Sequence, residues 1–559
     1  MIAHHGPISG VAAGGAYVAT AGYDNAVILW NAARRESIAR GTHDHLANHC
    51  ALHPGGTLLA TAGSDYTARL WALPEVALQV VFHDHEDDVE MVAFSPDGEL
   101  LATASRDHRA RLFRLDGTLV RRLTGHTSDV ISVAWSPNGS ALLTSGDDGT
   151  IRTWDVATGR ELNVVSMDDC EADTVVALDD ESFAVGNDRG EVTIVRGERR
   201  QTIAAHRAGV KRLAYDAASR RLVSSAYDRT INVWAVDGAT AAFVSTTEAP
   251  AAVWLRSCAF AGQHTLVLST FGGGYARLDL ATGSWDTSLV RATSGANGAA
   301  AVGGTIYTVG DFGQVRAGDE VVTELGSLCN FLGTIGDRLL AGGQLGILFD
   351  ALTGERLHQH RSPLNCSTTL TLPDGRERMF VGTYTGEALV VDWTRDGGIA
   401  VREGVALHRN AIKGLANDGA GVFSVCATGA AAYHDAVSLR EIWNDPQAHD
   451  RIANGAAALG AGRFASVSRD LCLRIWERDG SVVVVPTPHR HSIKSVAASP
   501  DGRRIATGAY DGHVAIYDVE RARWTTTVRP TTSGISCIVY DSAAGSFVAT
   551  SYDGGVFRL

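Results

Sequence analysis

The chain almost lacks lysine. Among its 49 Lys and Arg residues only Lys211, Lys413 and Lys494 are lysines. Methionine is as scarce, at four, and proline supplies 13 of 559 positions. No stretch approaches 18 uninterrupted apolar residues, so no membrane span is expected. The opening "MIAHHGPISGVAAGGAYVATAGYD" has neither the basic start nor the apolar run of a signal peptide. Eight cysteines stand singly with no CxxC pair, which removes zinc ribbons and thioredoxin-type chemistry. Reduced thiols fit a cytoplasmic protein. A net charge of −13 argues against nucleic-acid or acidic-membrane partners. GxxxxGK[ST] and HExxH are both missing. "GAGRFA" (460–465) imitates a dinucleotide fingerprint, but it runs into the strand pattern "FASVSRD" where the phosphate would need a helix N-terminus. The preference for Arg over Lys, with abundant Ala and Gly, points to GC-rich coding and a bacterial source.

What fills the chain is one recurring phrase. "HTSDVISVAWSPNGSALLTSGDDGTIRTWD" starts at His126, and close variants start at His85, His206 and His489. From the His to a hydroxyl residue is 18 positions: His43 to Thr61, His126 to Thr144, His206 to Ser224. Four positions further comes an acid (Asp65, Asp148, Asp228), and six beyond it an aromatic (Trp71, Trp154, Trp234). Each unit of about 40 residues holds four short apolar or alternating runs separated by turn signals such as "SPDG" and "DDGT". Four strands per repeat is the pattern of a propeller blade.

These phrases closely resemble the WD-repeat family, strongly over residues 1–240 and 445–559 and weakly but in frame over 248–445. Fourteen units can be counted. With seven blades as the family's usual ring, the resemblance implies an all-β chain of two tandem seven-bladed β-propellers, built of four-stranded antiparallel blades. The expected domains are 1–289 and 290–559; an eight-plus-six division is the alternative. The last unit ends on a third strand. Either blade 14 has three strands, or the seam lies elsewhere and blade 1 belongs to the second ring.

The resemblance also assigns the His, Ser/Thr, Asp and Trp to one buried hydrogen-bonded chain per blade. Repetition favours that role over catalysis, since an enzyme needs one Ser-His-Asp set and a scaffold needs one per unit. No catalytic residue and no cofactor are expected. The histidines not claimed by this network, His5, His45 and His83, lie in loops of blades 1 to 3 and are the candidate metal ligands.

Each lysine sits five positions after its blade's His, in the phrase HRxx[VI]K. The resemblance places this position at the top face beside the channel mouth. The residue before the turn Asp shares that rim: Tyr23, Arg106, Tyr227, Arg469, Tyr510 and Tyr552. Interfaces favour Tyr and Arg. Lys211 with Tyr227, and Lys494 with Tyr510, form candidate clamps for a carboxylate or an acidic peptide. Asp88, Glu90 and Asp129 form an acidic sector in blades 3 and 4. Shared ancestry of the phrase is the competing explanation for the lysines.

The expected function is a non-catalytic, cytoplasmic scaffold that binds protein or peptide partners on the propeller top faces. Two alternatives stand beside it. One is a substrate-recognition or accessory subunit of a multi-protein enzyme system; the other is a small-ligand or metal sensor.

Overall fold

The computed structural model describes residues 2–168, 170–291, 293, 295–394 and 398–559. Among them every regular element is a β-strand. The strands form thirteen four-stranded antiparallel sheets and a last sheet of three, each in chain order. No helix is long and apolar enough to cross a membrane.

The chain divides into two compact units, Met1–Ala292 and Thr293–Leu559, of seven sheets each. Val290 is still bridged to Gly273, and the Arg291 N–H still bonds Gly272 O, so the first unit runs slightly past residue 289. In the first unit the innermost strands are neighbours in order, and Ile8–Gly14 lies beside Val253–Phe260. The seventh sheet therefore packs against the first. The Val11 N–H donates to Ser257 Oγ at 3.1 Å, and His4 and Gly273 exchange two backbone bonds of 2.8 and 3.0 Å. In the second unit Ala296–Val302 likewise lies beside Ile535–Asp541. Blade 1 thus belongs to the first ring, and blade 14 has three strands among the described residues.

Burial follows from position in the blade. The second strands are covered on both faces by neighbouring blades, so they read as unbroken small or apolar runs: "LLATAG" (Leu58–Gly63), "ALLTSG" (Ala141–Gly146), "RIATGA" (Arg504–Ala509). The outermost strands face solvent and are mostly polar or alternating, as in "ESIARGT" (Glu36–Thr42), with the exposed valine run of Val482–Pro486 as an exception. Thirteen of the fourteen pairs of adjacent blades share an apolar cluster among the described residues, the pair of blades 14 and 8 being the exception. One joins Ala102, Leu112 and Leu123 of blade 3 to Val133, Leu142 and Trp154 of blade 4.

The turn after each second strand needs a left-handed residue. Glycine serves at Gly149 (φ 68°) and Gly512 (φ 84°), while Tyr66, Arg229 and Leu471 adopt the same conformation at 62–68°. The preceding Asp holds the turn by accepting a backbone N–H two residues on, as Asp148 does from Thr150 at 3.0 Å.

Candidate functional site

The repeated polar residues form buried chains that lock the blades. In blade 4 the Trp154 indole N–H donates to Thr144 Oγ1 at 2.9 Å. The Thr144 hydroxyl lies 2.8 Å from His126 Nε2, and His126 Nδ1 lies 2.9 Å from Asp148. The consistent tautomer has Nε2 accepting from threonine and Nδ1–H donating to the carboxylate. The same set joins His43, Thr61, Asp65 and Trp71 in blade 2, and His206, Ser224, Asp228 and Trp234 in blade 6. Blades 1 and 12 repeat it around His4 and His449. Where a member changes, the chain is rerouted. Blade 3 has Phe113 and no indole, with His85 Nε2 still 3.0 Å from Thr103. In blade 13 Asp511 takes His513 at 2.9 Å, and His489 keeps only Thr507 among the pairs at this position. These side chains are committed to each other, which leaves none of them poised as a nucleophile.

The lysines share a geometric cause. In twelve blades the innermost strand shifts register by one residue near its start, a β-bulge whose extra residue is aimed out of the ladder. That residue is Lys211, Lys413 or Lys494 in blades 6, 11 and 13. In blades 1, 2, 9, 10 and 12 it is a Ser or Asn that staples the next blade, whereas blade 3 has Glu90 and blade 4 Ile131. Asn48 donates to Val89 O at 3.0 Å, Asn330 to Leu364 O at 2.8 Å, Asn454 to Ile493 O at 2.8 Å. A lysine abandons this staple. Lys413 instead stands over the ring of Tyr384 in the preceding blade, 4.4 Å from its centroid.

The rim is set by a second device, present in all fourteen blades. The residue before the turn Asp donates its N–H to the loop carbonyl ahead of the inner strand, as Tyr23 does to Pro7 O, Arg106 to Asp88 O and Tyr552 to Gly534 O. The expected rim residues Tyr23, Arg106, Tyr227, Arg469, Tyr510 and Tyr552 all make this bond. So do Asp147, in a blade that keeps the full pattern, and Asp188, Phe271, Asp311 and Tyr384, whose repeats depart from the His or Asp pattern.

At the mouth of the N-terminal ring the expected open charges are already matched. Lys211 does lie over Tyr227, 4.7 Å from its centroid, but its ammonium is ion-paired with Asp173 and with Asp188 at 2.6 Å. The carboxylate expected from a partner is supplied by blade 5. Glu90 and Asp129 are likewise no open acidic sector: Arg106 bridges them at 2.5 Å each, and Arg256 reaches Glu90 from blade 7 at 3.3 Å. Asp88 is 2 % exposed. The excess acid lies one blade further round. Burial together with the charge of Asp147 pushes the Glu171 carboxyl up to about 10, and burial holds Asp173 at about 6 against the pull of Lys211. Tyr23 meets the edge of Trp254 at 5.4 Å.

The candidate metal ligands do not assemble. His5 and His83 are exposed, His45 is buried, and among the described residues no group of three His, Cys, Asp or Glu side chains is placed to hold a metal ion.

The mouth of the C-terminal ring is different in kind. Lys413 and Lys494 come from alternate blades, and both ammonium charges act on the Cys366 thiol of blade 10, which burial pushes up to about 12. Lys494 makes no ion pair among the described residues. Arg469 stands on the rim of the blade between them, and Tyr510 stacks on Tyr552 at 5.9 Å and 7°. The preceding loops add exposed Arg409 and Arg490.

Sheet geometry and repeat chemistry agree with the comparisons. The WD domain, G-beta repeat model matches residues 1–31, 38–72, 77–114, 117–155, 197–235 and 480–518. The chain carries WD repeats over these stretches. Coronin-7 of Mus musculus is 43% identical over 61 residues, which are 11% of this chain and 7% of that protein. Periodic tryptophan protein 2 homolog of Caenorhabditis elegans is 31% identical over 100 residues, 18% of this chain and 10% of its own length. Methylosome protein WDR77 of Xenopus laevis is 23% identical over 227 residues, 38% of this chain and 56% of that relative. Each match covers less than two thirds of the relative. The chain shares repeats with them, and WD repeats generally serve protein interaction.

Proposed function

We propose that this protein is a non-catalytic cytoplasmic adaptor that captures an acidic segment of a protein partner at the mouth of its C-terminal ring. One observation carries the reading: Lys494 stands there with no ion pair among the described residues, its charge and that of Lys413 both acting on Cys366. An ammonium is a compact, strongly hydrated charge that fits a narrow mouth where a flat guanidinium would need a wider face. The Tyr510–Tyr552 stack and Tyr384 supply the rigid aromatic area that anchors interfaces. The N-terminal ring, whose Lys211 is internally paired, does different work. A subunit that recognises substrate for a separate catalytic polypeptide would use the same surface.

The test is fluorescence anisotropy with a labelled oligoglutamate peptide at low salt. Lys494→Met with Lys413→Met should weaken binding roughly tenfold or more, and added salt should weaken it in wild type. Lys211→Met should leave it unchanged. Equal binding by wild type and the double variant would refute the assignment.

A further inference from the structure

The N-terminal ring holds a cation that no carboxylate among the described residues balances. Arg212 follows the bulge residue Lys211 on the inner strand of blade 6. Its guanidinium reaches across the ring: Nη2 lies 2.7 Å from His49 Nε2 in blade 2, and Nη1 lies 3.4 Å from Met91 Sδ in blade 3. Residues of blades 2 and 3 are met from blade 6 only by crossing the channel. Neither partner carries negative charge. Met91 is a thioether, and burial holds the His49 imidazole well below its ordinary range, so it accepts as a neutral ring.

The other candidates for a counter-charge are spent or neutral. Arg212 makes no ion pair with a carboxylate among the described residues. Glu90 serves Arg106 and Arg256, while Asp173 and Asp188 serve Lys211. The nearby thiols Cys50 and Cys258 are pushed up by burial to about 12 and about 11, so they stay protonated. Arg256 adds a like charge to the same throat. A guanidinium does not lose its proton to escape such a setting, and Arg212, part-buried in the channel, carries a charge that is only partly hydrated and has no counter-charge among the described residues.

We propose that the throat of the N-terminal ring is an anion site, in which Arg212 binds one small monovalent anion of halide size from solution. The size follows from the lining. One unmatched guanidinium beside a thioether, a neutral imidazole and two thiols balances a single negative charge. A phosphate would demand several further charge-assisted donors. The anion completes the electrostatics of the channel and ties blade 6 to blades 2 and 3, so it acts as a structural ligand of the ring.

The full chain is melted at fixed ionic strength while sodium gluconate is exchanged for sodium bromide. A ligand that binds only the folded state raises Tm with its concentration, here by roughly 5 °C between one and one hundred times the dissociation constant. Arg212→Met should melt at the same temperature in both salts, and Arg212→Lys should keep the bromide response. Bromide-soaked crystals should show an anomalous peak within hydrogen-bond reach of the guanidinium. A wild-type Tm indifferent to bromide, or the same bromide response in Arg212→Met, overturns the proposal. Should Arg212→Met fail to fold, the anomalous map decides: a peak at Arg212 supports the site, and an empty map overturns it.

Discussion

Replacing Thr144 by valine keeps the shape of the side chain and removes one hydroxyl. In blade 4 that hydroxyl does two things: it accepts the Trp154 indole N–H and donates to His126 Nε2. Both partners are buried, at 2 % and 7 % exposure, so neither recovers a bond from water. Each stranded group costs about 1–3 kcal/mol, which puts Thr144→Val at roughly 2–6 kcal/mol. Blade 3 provides the control within the same ring. There the aromatic is Phe113, with no N–H to strand, and Thr103 serves His85 alone at 3.0 Å. Thr103→Val should therefore cost about half as much. Urea unfolding of the two variants, followed by tryptophan fluorescence with the m-value held common, measures the difference. Equal midpoints would refute the claim that the indole is an energetic member of the network.

Four other outcomes follow from the same geometry. Arg106→Met strips the bridge between Glu90 and Asp129, and breaking so buried a pair should cost about 3 kcal/mol, measured by the urea midpoint. In Arg106→Met with Glu90→Gln, part of that loss should return. Gly310→Ala should abolish folding of the C-terminal ring, seen by limited proteolysis, because a Cβ there would fall 1.5 Å from Gly295 O. Burial holds His408 and His489 near pKa 4, against about 6.5 when unfolded. The unfolded state then binds protons first on acidification, so their contribution is present above pH 6.5 and is lost as pH falls towards 4. His489→Gln should flatten a plot of urea midpoint against pH over that window, removing at most about 1.4 kcal/mol per pH unit.

Much of the architecture was legible because it is written at fixed spacing. His126, Thr144, Asp148 and Trp154 recur at nearly constant offsets, the first shortened by two in blade 1 and by one in blade 12, and the structure joins the set by hydrogen bonds in five blades. The bulge was not legible. Alternation along "VISVAW" or "VKRLAY" gives no sign that one residue slips out of register, yet that slip is what aims Lys211 and Lys494. The neutralising partners were hidden for a different reason. Arg256 is 166 residues from Glu90, and Lys211 pairs with Asp173 and Asp188 in a blade whose motif has lost its His. Charge at the mouth is decided by which blades are neighbours in the ring, and a single repeat does not contain that information. Tyr384 escaped notice because its turn carries Thr385 where other blades have Asp.

With only three lysines, the account's central claim, that the two rings use this position oppositely, has a direct readout. Reductive ¹³C-methylation would give one dimethylammonium NMR signal for each of Lys211, Lys413 and Lys494, assigned with single Lys→Arg variants. Their response to added oligoglutamate peptide is then followed at low salt. The account predicts that the Lys413 and Lys494 signals shift and saturate together while Lys211 stays still. A shift of Lys211 with the other two unmoved would contradict it.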